Sequence, residues 1–297
     1  MKRILSLDIG GSAVKYGLVS ETGELLQSGS FPTPDAIDPL VSSVRELFES
    51  SHPDGLAISS PGCVNIDTGV VSGLSAVPWL HGPSLKELFG NLLHTEVQVE
   101  NDANCAALAE LWLGEAKEAN SFSLVVFGTG IGGTFVADRK ILRGAHNQAG
   151  EFGLMFTDFS EDPYDWHIWS MYSTVHTAKR AAEEAGIDPK DLDGVRLFAE
   201  ADENPLFQKY RDRFYRSAAV GLMNLQSLYD PEMILLGGGI SKREDLIPGI
   251  EAEMHKIASG RFEGVFPLPR LVRCHFRSAA NLIGAVYHFL TYGTENI

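Results

Sequence analysis

An apolar strand that runs into an Ile-Gly-Gly turn and returns as a second apolar strand occurs twice in this chain. The first copy is ILSLDIGGSAVKYGLVSETGELL and the second is SLVVFGTGIGGTFVADRKIL. Each reads as strand, glycine turn, return strand, polar turn and apolar restart. Chance likeness of two Gly-rich hairpins is the plain alternative, and the matched order favours an internal duplication. Two lobes are then expected, and 297 residues suffice for two cores. Apolar residues at 44% and charged residues at 21% are ordinary globular values.

Around the repeated hairpins the sequence alternates strands and helices, an α/β pattern. Residues 2–9 (KRILSLDI), GLAISS and EVQVE read as strands. Residues 39–50 have apolar positions at helical spacing, and DANCAALAELWLG reads as a helix ended by Gly114. Later, residues 165–186, 205–229 and 243–258 are expected to be helical. MILLGGGIS and RLVRCHF supply strands, and NLIGAVYHFLTYG a closing helix. No low-complexity linker marks a boundary. The restart of the pattern divides the chain into an N-terminal lobe, residues 1–117 with the closing helix 282–297, and a C-terminal lobe, residues 118–281.

Composition excludes several classes. A net charge of -15 tells against nucleic acid as a partner. Cys63, Cys105 and Cys274 are odd in number and far apart, which argues against a disulfide framework or a C-x-x-C metal site and fits a reducing cytoplasm. The first apolar run is broken by Asp8 and its glycines, so neither a signal peptide nor a membrane span is expected there.

Three Gly-rich turns each follow an apolar strand: Asp8-Ile9-Gly10-Gly11-Ser12, Gly128 to Gly133, and Gly237-Gly238-Gly239-Ile240-Ser241. Glycine lets backbone N–H groups approach a phosphate closely. Each turn alone could be a tight hairpin; three in one chain point to phosphate binding. Gly128 to Gly133 also fits G-x-G-x-x-G, but a hairpin rather than a helix follows it, which speaks against a dinucleotide site. Asp8, at the end of its strand, is either a turn cap or a carboxylate that holds Mg²⁺ through water. Glu100-Asn101-Asp102-Ala103-Asn104 lies between a strand and a helix. Asp102 is there either a helix cap or a general base that accepts a hydroxyl proton during phosphoryl transfer.

The order LDIGGS, SSPG, ENDANCAALAE, FGTGIGGTFV, GAHNQAGEFG, LLGGGIS and NLIGA resembles the ROK family (repressors, open reading frames and sugar kinases) along nearly the whole chain. The resemblance implies two RNase H-like lobes of the hexokinase/actin-like ATPase fold around a central cleft. It implies phosphate contacts from Gly10, Gly11, Ser12, Thr129 and Gly130, with Gly132 in the same turn. An adenosine-side turn falls at Gly238 and Gly239, sugar contacts at Asn101 and Glu151, and the base at Asp102. The expected activity is ATP-dependent phosphorylation of a hexose-type sugar at its 6-hydroxyl, with Mg²⁺, in a homodimer whose lobes close on both substrates.

The chain also departs from the family's pattern. Leu154 stands where the family usually has a zinc-binding His after its Gly-Glu-x-Gly, and MFTDFSEDPYDWHIWSMYS has no cysteine, so no zinc is expected. Ala76 or Val77 stands where many members have a sugar-contacting Asn. Gly62, Leu154 and Trp169 complete the sugar-side expectations, with Trp169 as a flat surface for a second ring. An apolar wall at Leu154 favours a sugar substituted on C1, a β-glucoside; N-acetylmannosamine and free glucose are the alternatives. The plain reading of Leu154 and Trp169 is that both are core. A non-catalytic sugar-binding protein is a further alternative. A ROK repressor would need a winged-helix domain ahead of a turn that here begins at the eighth residue, so a regulator is not expected.

Overall fold

The computed structural model describes residues 2–73, 75–159, 166–260 and 264–292. The chain divides into two compact units. The first comprises Met1–Glu118, Arg143–Gln148 and His275–Ile297, and the second Ala119–Leu142 and Ala149–Cys274.

In the first unit, β1 (Arg3–Ile9) is the middle strand of a five-stranded sheet and is buried beyond Arg3. It pairs antiparallel with β2 (Ala13–Ser20), which pairs antiparallel with β3 (Leu25–Pro32). On its other side it pairs parallel with β4 (Gly55–Ser60), and β4 with β7 (Val97–Asn101). β1 beyond Arg3 and β4 throughout are buried, as strands covered on both faces are. Helix α1 (Ile37–Ser51) and α2 (Leu85–Leu93) bury Leu40, Val44, Leu85 and Phe89 in a cluster with Leu5, Leu7 and Val99. The other face is covered by α3 (Asp102–Leu113) and the closing helix α8 (Ala280–Thr291), through Cys105, Ala285, Val286 and Phe289. The buried Ser6 hydroxyl donates to the Leu282 carbonyl at 2.8 Å, fixing α8 on β1. A two-stranded hairpin, β5 (Cys63–Asn65) with β6 (Val70–Ser72), precedes α2.

The second unit repeats the plan. Strand β8 (Phe122–Phe127) pairs antiparallel with β9 (Ile131–Ala137), and β9 with β10 (Lys140–Ile141). On the other side β8 pairs parallel with β13 (Ile234–Gly237), and β13 with β14 (Leu271–Arg273). The orders β3-β2-β1-β4-β7 and β10-β9-β8-β13-β14 are the same topology, as an internal duplication predicts. Helices α4 (Thr174–Ala185), α5 (Gly194–Glu200), α6 (Pro205–Tyr229) and α7 (Leu246–Ala258) build one core with Phe127, Trp169, Phe198 and Phe214.

The sequence reading needs correction at residues 165–186. Trp166–Ile168 is a strand, β12, paired with β11 (Phe156–Phe159), Trp169–Tyr172 is a 3₁₀ turn, and the helix starts only after Ser173. Aromatic and β-branched residues favour the extended segment, and the Ser173 hydroxyl caps α4 by accepting from His176 N. Helix α2 was not foreseen, although Ser84 accepts from Glu87 N in the Ser-x-x-Glu start pattern. Arg143–Gln148 and the stretch from His275 to residue 281, expected with the second lobe, group with the first unit. Among the described residues no helix is long and apolar enough to cross a membrane.

Candidate active site

In the first unit the three strand ends β1, β4 and β7 bring together the residues with chemistry. The Asp8 carboxyl, 6% exposed, accepts from Asn281 Nδ2 at 2.9 Å and from Lys15 Nζ at 3.1 Å, with Ser59 Oγ at 3.4 Å. Its oxygens and its place beside the Gly10–Ser12 turn suit a hard divalent cation held through water. Neither Asn281 nor Lys15 was given a role from sequence.

At the end of β7, Asn101 rather than Asp102 caps α3. Its Oδ1 accepts from Asn104 N at 3.1 Å, while Nδ2 donates to the Gly62 carbonyl and to Asp102 Oδ1, each at 3.0 Å. Both amide protons are thus committed, so the expected sugar contact of Asn101 reduces to a lone pair on Oδ1. Asp102 is the first helical residue and accepts from Ala103 N at 2.8 Å. Of the two readings of the ENDAN segment, the cap falls to Asn101, while the Asp102 carboxylate follows it in the first turn. Of the two residues set against the family's Asn, Val77 is core and Ala76 is exposed.

The three glycine turns share a device that sequence did not disclose. Thr33 Oγ1 donates to the Gly10 carbonyl at 2.5 Å. In the second turn Thr174 Oγ1 donates to the Gly128 carbonyl at 3.0 Å and Ser173 Oγ to the Thr129 carbonyl at 2.7 Å. In the third, Ser241 Oγ donates to the Gly238 carbonyl at 2.8 Å. A trans peptide sets each carbonyl opposite the next N–H. The N–H groups of Gly11, Thr129, Gly130 and Gly239 therefore point away from the hydroxyls, and Gly11, Thr129 and Gly239 are exposed. The second turn thus orients two donors and the first and third one each, the kind of group an anion site needs. Gly238 is irreplaceable on steric grounds: its φ is +89° and a Cβ there would sit on the Phe127 carbonyl oxygen. Gly132 lies in β9, in the ladder with Val126, so its N–H belongs to a strand rather than to the turn.

Of the residues expected to face the sugar from the second unit, Glu151 reaches solvent, yet burial of its carboxyl by the protein around it pushes its pKa up. Leu154 is 50% exposed. Trp169 corrects an expectation: it is fully buried, edge-on to Phe127 with centroids 5.9 Å apart. Gly221 packs so closely on the indole that a Cβ there would overlap it. It is core and offers no face to a ligand. His167 meets Tyr172, and His176 meets Ser173. Among the described residues no three His, Cys, Asp or Glu side chains gather as a metal site. Residues 160–165, part of the segment aligned with the family's zinc loop, lie outside the described residues.

The sequence matches the ROK family over residues 4–291. It is 33% identical to a β-glucoside kinase of Listeria innocua, covering 97% of each chain. It is 30% identical to a β-glucoside kinase of Klebsiella pneumoniae, covering 97% of this chain and 96% of that one. Among solved structures, a ROK family protein of Streptococcus pneumoniae in complex with sucrose superposes with a TM-score of 0.90 at 34% identity over 99% of both chains. With the duplicated sheet, the three turns and this match along the whole length, the chain belongs to the ROK family.

Proposed function

We propose that this ATP-dependent sugar kinase transfers the γ-phosphoryl group of ATP to the 6-hydroxyl of the non-reducing glucose of a β-glucoside, with Asp102 as general base. The observation that carries the reading is the division of labour at β7. Asn101 caps the helix, so a carboxylate stands at a strand's C-terminal end, where sheets of this kind place their chemistry. Asp102 takes the proton of the sugar hydroxyl as its oxygen bonds to the γ-phosphorus. The bond to the bridging oxygen breaks, and ADP leaves. The N–H groups of Gly11, Thr129, Gly130 and Gly239 are the donors offered to the phosphates. Asp8 is the residue to hold magnesium through water; bound with ATP, the ion offsets charge on the transferring group.

Preference for a substituted C1 rests on Leu154. An exposed leucine offers nothing to a free anomeric hydroxyl and leaves an apolar wall for an aglycone. The relatives named β-glucoside kinases, and the sucrose complex of a 34% identical protein, agree with a glucose substituted at its anomeric carbon. With Trp169 in the core, Leu154 carries this preference without an aromatic platform. The test is ADP release across cellobiose, aryl β-glucosides, glucose and N-acetylmannosamine. The β-glucosides should give the highest kcat/KM; a far higher value for either free sugar removes the substrate assignment and leaves the kinase.

A further inference from the structure

Next to Asp102 lies a carboxylate that the proposed reaction does not use. Glu100 is fully buried near the end of β7. Arg143 grips it in a fork, Nη1 to Oε1 at 2.9 Å and Nη2 to Oε2 at 2.6 Å. The same carboxylate accepts from Asn101 N at 2.7 Å and from Asn104 Nδ2 at 3.0 Å, and His288 Nδ1 is 3.7 Å away. Burial alone would raise its pKa, but Arg143 and then His288 outweigh burial and hold it below the usual carboxylate range. Buried ion pairs seldom stabilise a fold by themselves, because desolvation cancels much of the attraction. Here every further hydrogen bond of the carboxylate falls on a residue that flanks Asp102.

We propose that Arg143 is a positioning residue for phosphoryl transfer: through Glu100 it fixes Asn101 and Asn104 on either side of the base, and it neutralises the negative charge buried beside that base. The inference rests on reading Asp102 as the base. Guanidinium suits the task because its planar fork orients a carboxylate as a lysine cannot. Among the described residues, the other charged or titratable groups in this neighbourhood are Asp8 with its partner Lys15 on β1 and β2, Asp67 after β5, Cys105 on α3, His288 on α8 and Tyr292 just beyond it. Arg143 and His288 are the groups that bring positive or potentially positive charge to Glu100.

The experiment compares Arg143→Met, Arg143→Lys, Glu100→Gln and the double variant Glu100→Gln/Arg143→Met. The sugar is whichever one the wild type turns over fastest, so the outcome does not depend on the β-glucoside assignment. Arg143→Met should lower kcat by ~10–100-fold, the cost of a misplaced reacting group, with KM for ATP unchanged. Arg143→Lys should fall between the two. The charge gives a signature that packing alone does not. Losing Arg143 leaves a buried anion beside the base, so the acidic limb of kcat should move to higher pH. Glu100→Gln leaves a cation, so it should move to lower pH; the double variant should return the limb toward wild type with kcat still low. If Arg143→Met does not fold, Arg143→Lys carries the kcat reading and the other two the pH reading. A folded Arg143→Met with wild-type kcat, or acidic limbs that stay put or move the same way in both single variants, overturns the inference. Near wild-type turnover in Asp102→Asn would instead remove the base assignment on which it stands.

Discussion

The two units share one sheet topology but load their strand ends differently. In the first, β1, β4 and β7 end in side chains with chemistry: Asp8, Ser59 and the pair Asn101–Asp102. In the second, β8 and β13 run into glycine turns whose carbonyls are held by Thr174, Ser173 and Ser241. One scaffold can thus present carboxylates or amide groups at the same positions, depending on the residues at and just beyond each strand end. On the proposed reading the first unit supplies proton and cation chemistry, and the second offers anion-binding backbone. The turn after β1 has features of both, with Asp8 before it and Thr33 gripping the Gly10 carbonyl.

Perturbing each side separately should break this comparison or sharpen it. The largest effect is expected in the first unit, where Asp102→Asn should lower kcat by ~10²–10⁴-fold. Its melting temperature should hardly change, because the cap is Asn101 and an amide oxygen at 102 can still accept from Ala103 N; thermal unfolding beside steady-state kinetics checks both halves. Next, Gly238→Ala should raise KM for ATP strongly and destabilise the fold by about 1–3 kcal/mol or more, since a non-Gly residue is strained at that φ and its Cβ has no room. The neighbouring Gly239→Ala meets nothing within 4 Å and should fold as wild type, so calorimetry of the two separates strain from mere change of residue. Ser173→Ala should cost about 1 kcal/mol as a lost cap and lower kcat/KM for ATP by roughly 10-fold through a loosened turn, while KM for sugar stays put. An equal rise in sugar KM would blur the proposed division between the units.

The smallest effect is a pH dependence of stability. Glu100 is held below its unfolded value, so its stabilising contribution is present at pH above that unfolded value and is lost as pH falls through the folded one. Melting temperature should therefore decline toward acid, and Glu100→Gln should flatten part of that decline. An unchanged acid slope in the variant would mean that other carboxylates carry it.

Local chemistry made much of this legible in sequence. Glycine turns after apolar strands, the repeated hairpin and the start of α3 are written in adjacent residues. Pairings made in three dimensions were not. Glu100 and Arg143 stand 43 positions apart, and nothing local to either names the other. The hydroxyls that orient the second turn lie on a segment, residues 170–174, that reads as part of a helix. Sequence leaves Trp169 between a ligand platform and the core, because an indole beside a substrate site and an indole in a core look alike there. Gly221, which makes room for it, is remote in the chain.

The central claim is that this kinase moves phosphate from ATP to the 6-hydroxyl of a C1-substituted glucose by way of Asp102. It is tested most directly by giving the enzyme Mg-ATP with equal cellobiose and glucose in one reaction and identifying the phosphorylated product by mass spectrometry and ³¹P NMR. Phosphate on the 6-hydroxyl of the non-reducing ring of cellobiose, and almost none with Asp102→Asn, is the predicted result. Phosphate chiefly on free glucose, or undiminished product from Asp102→Asn, would contradict it.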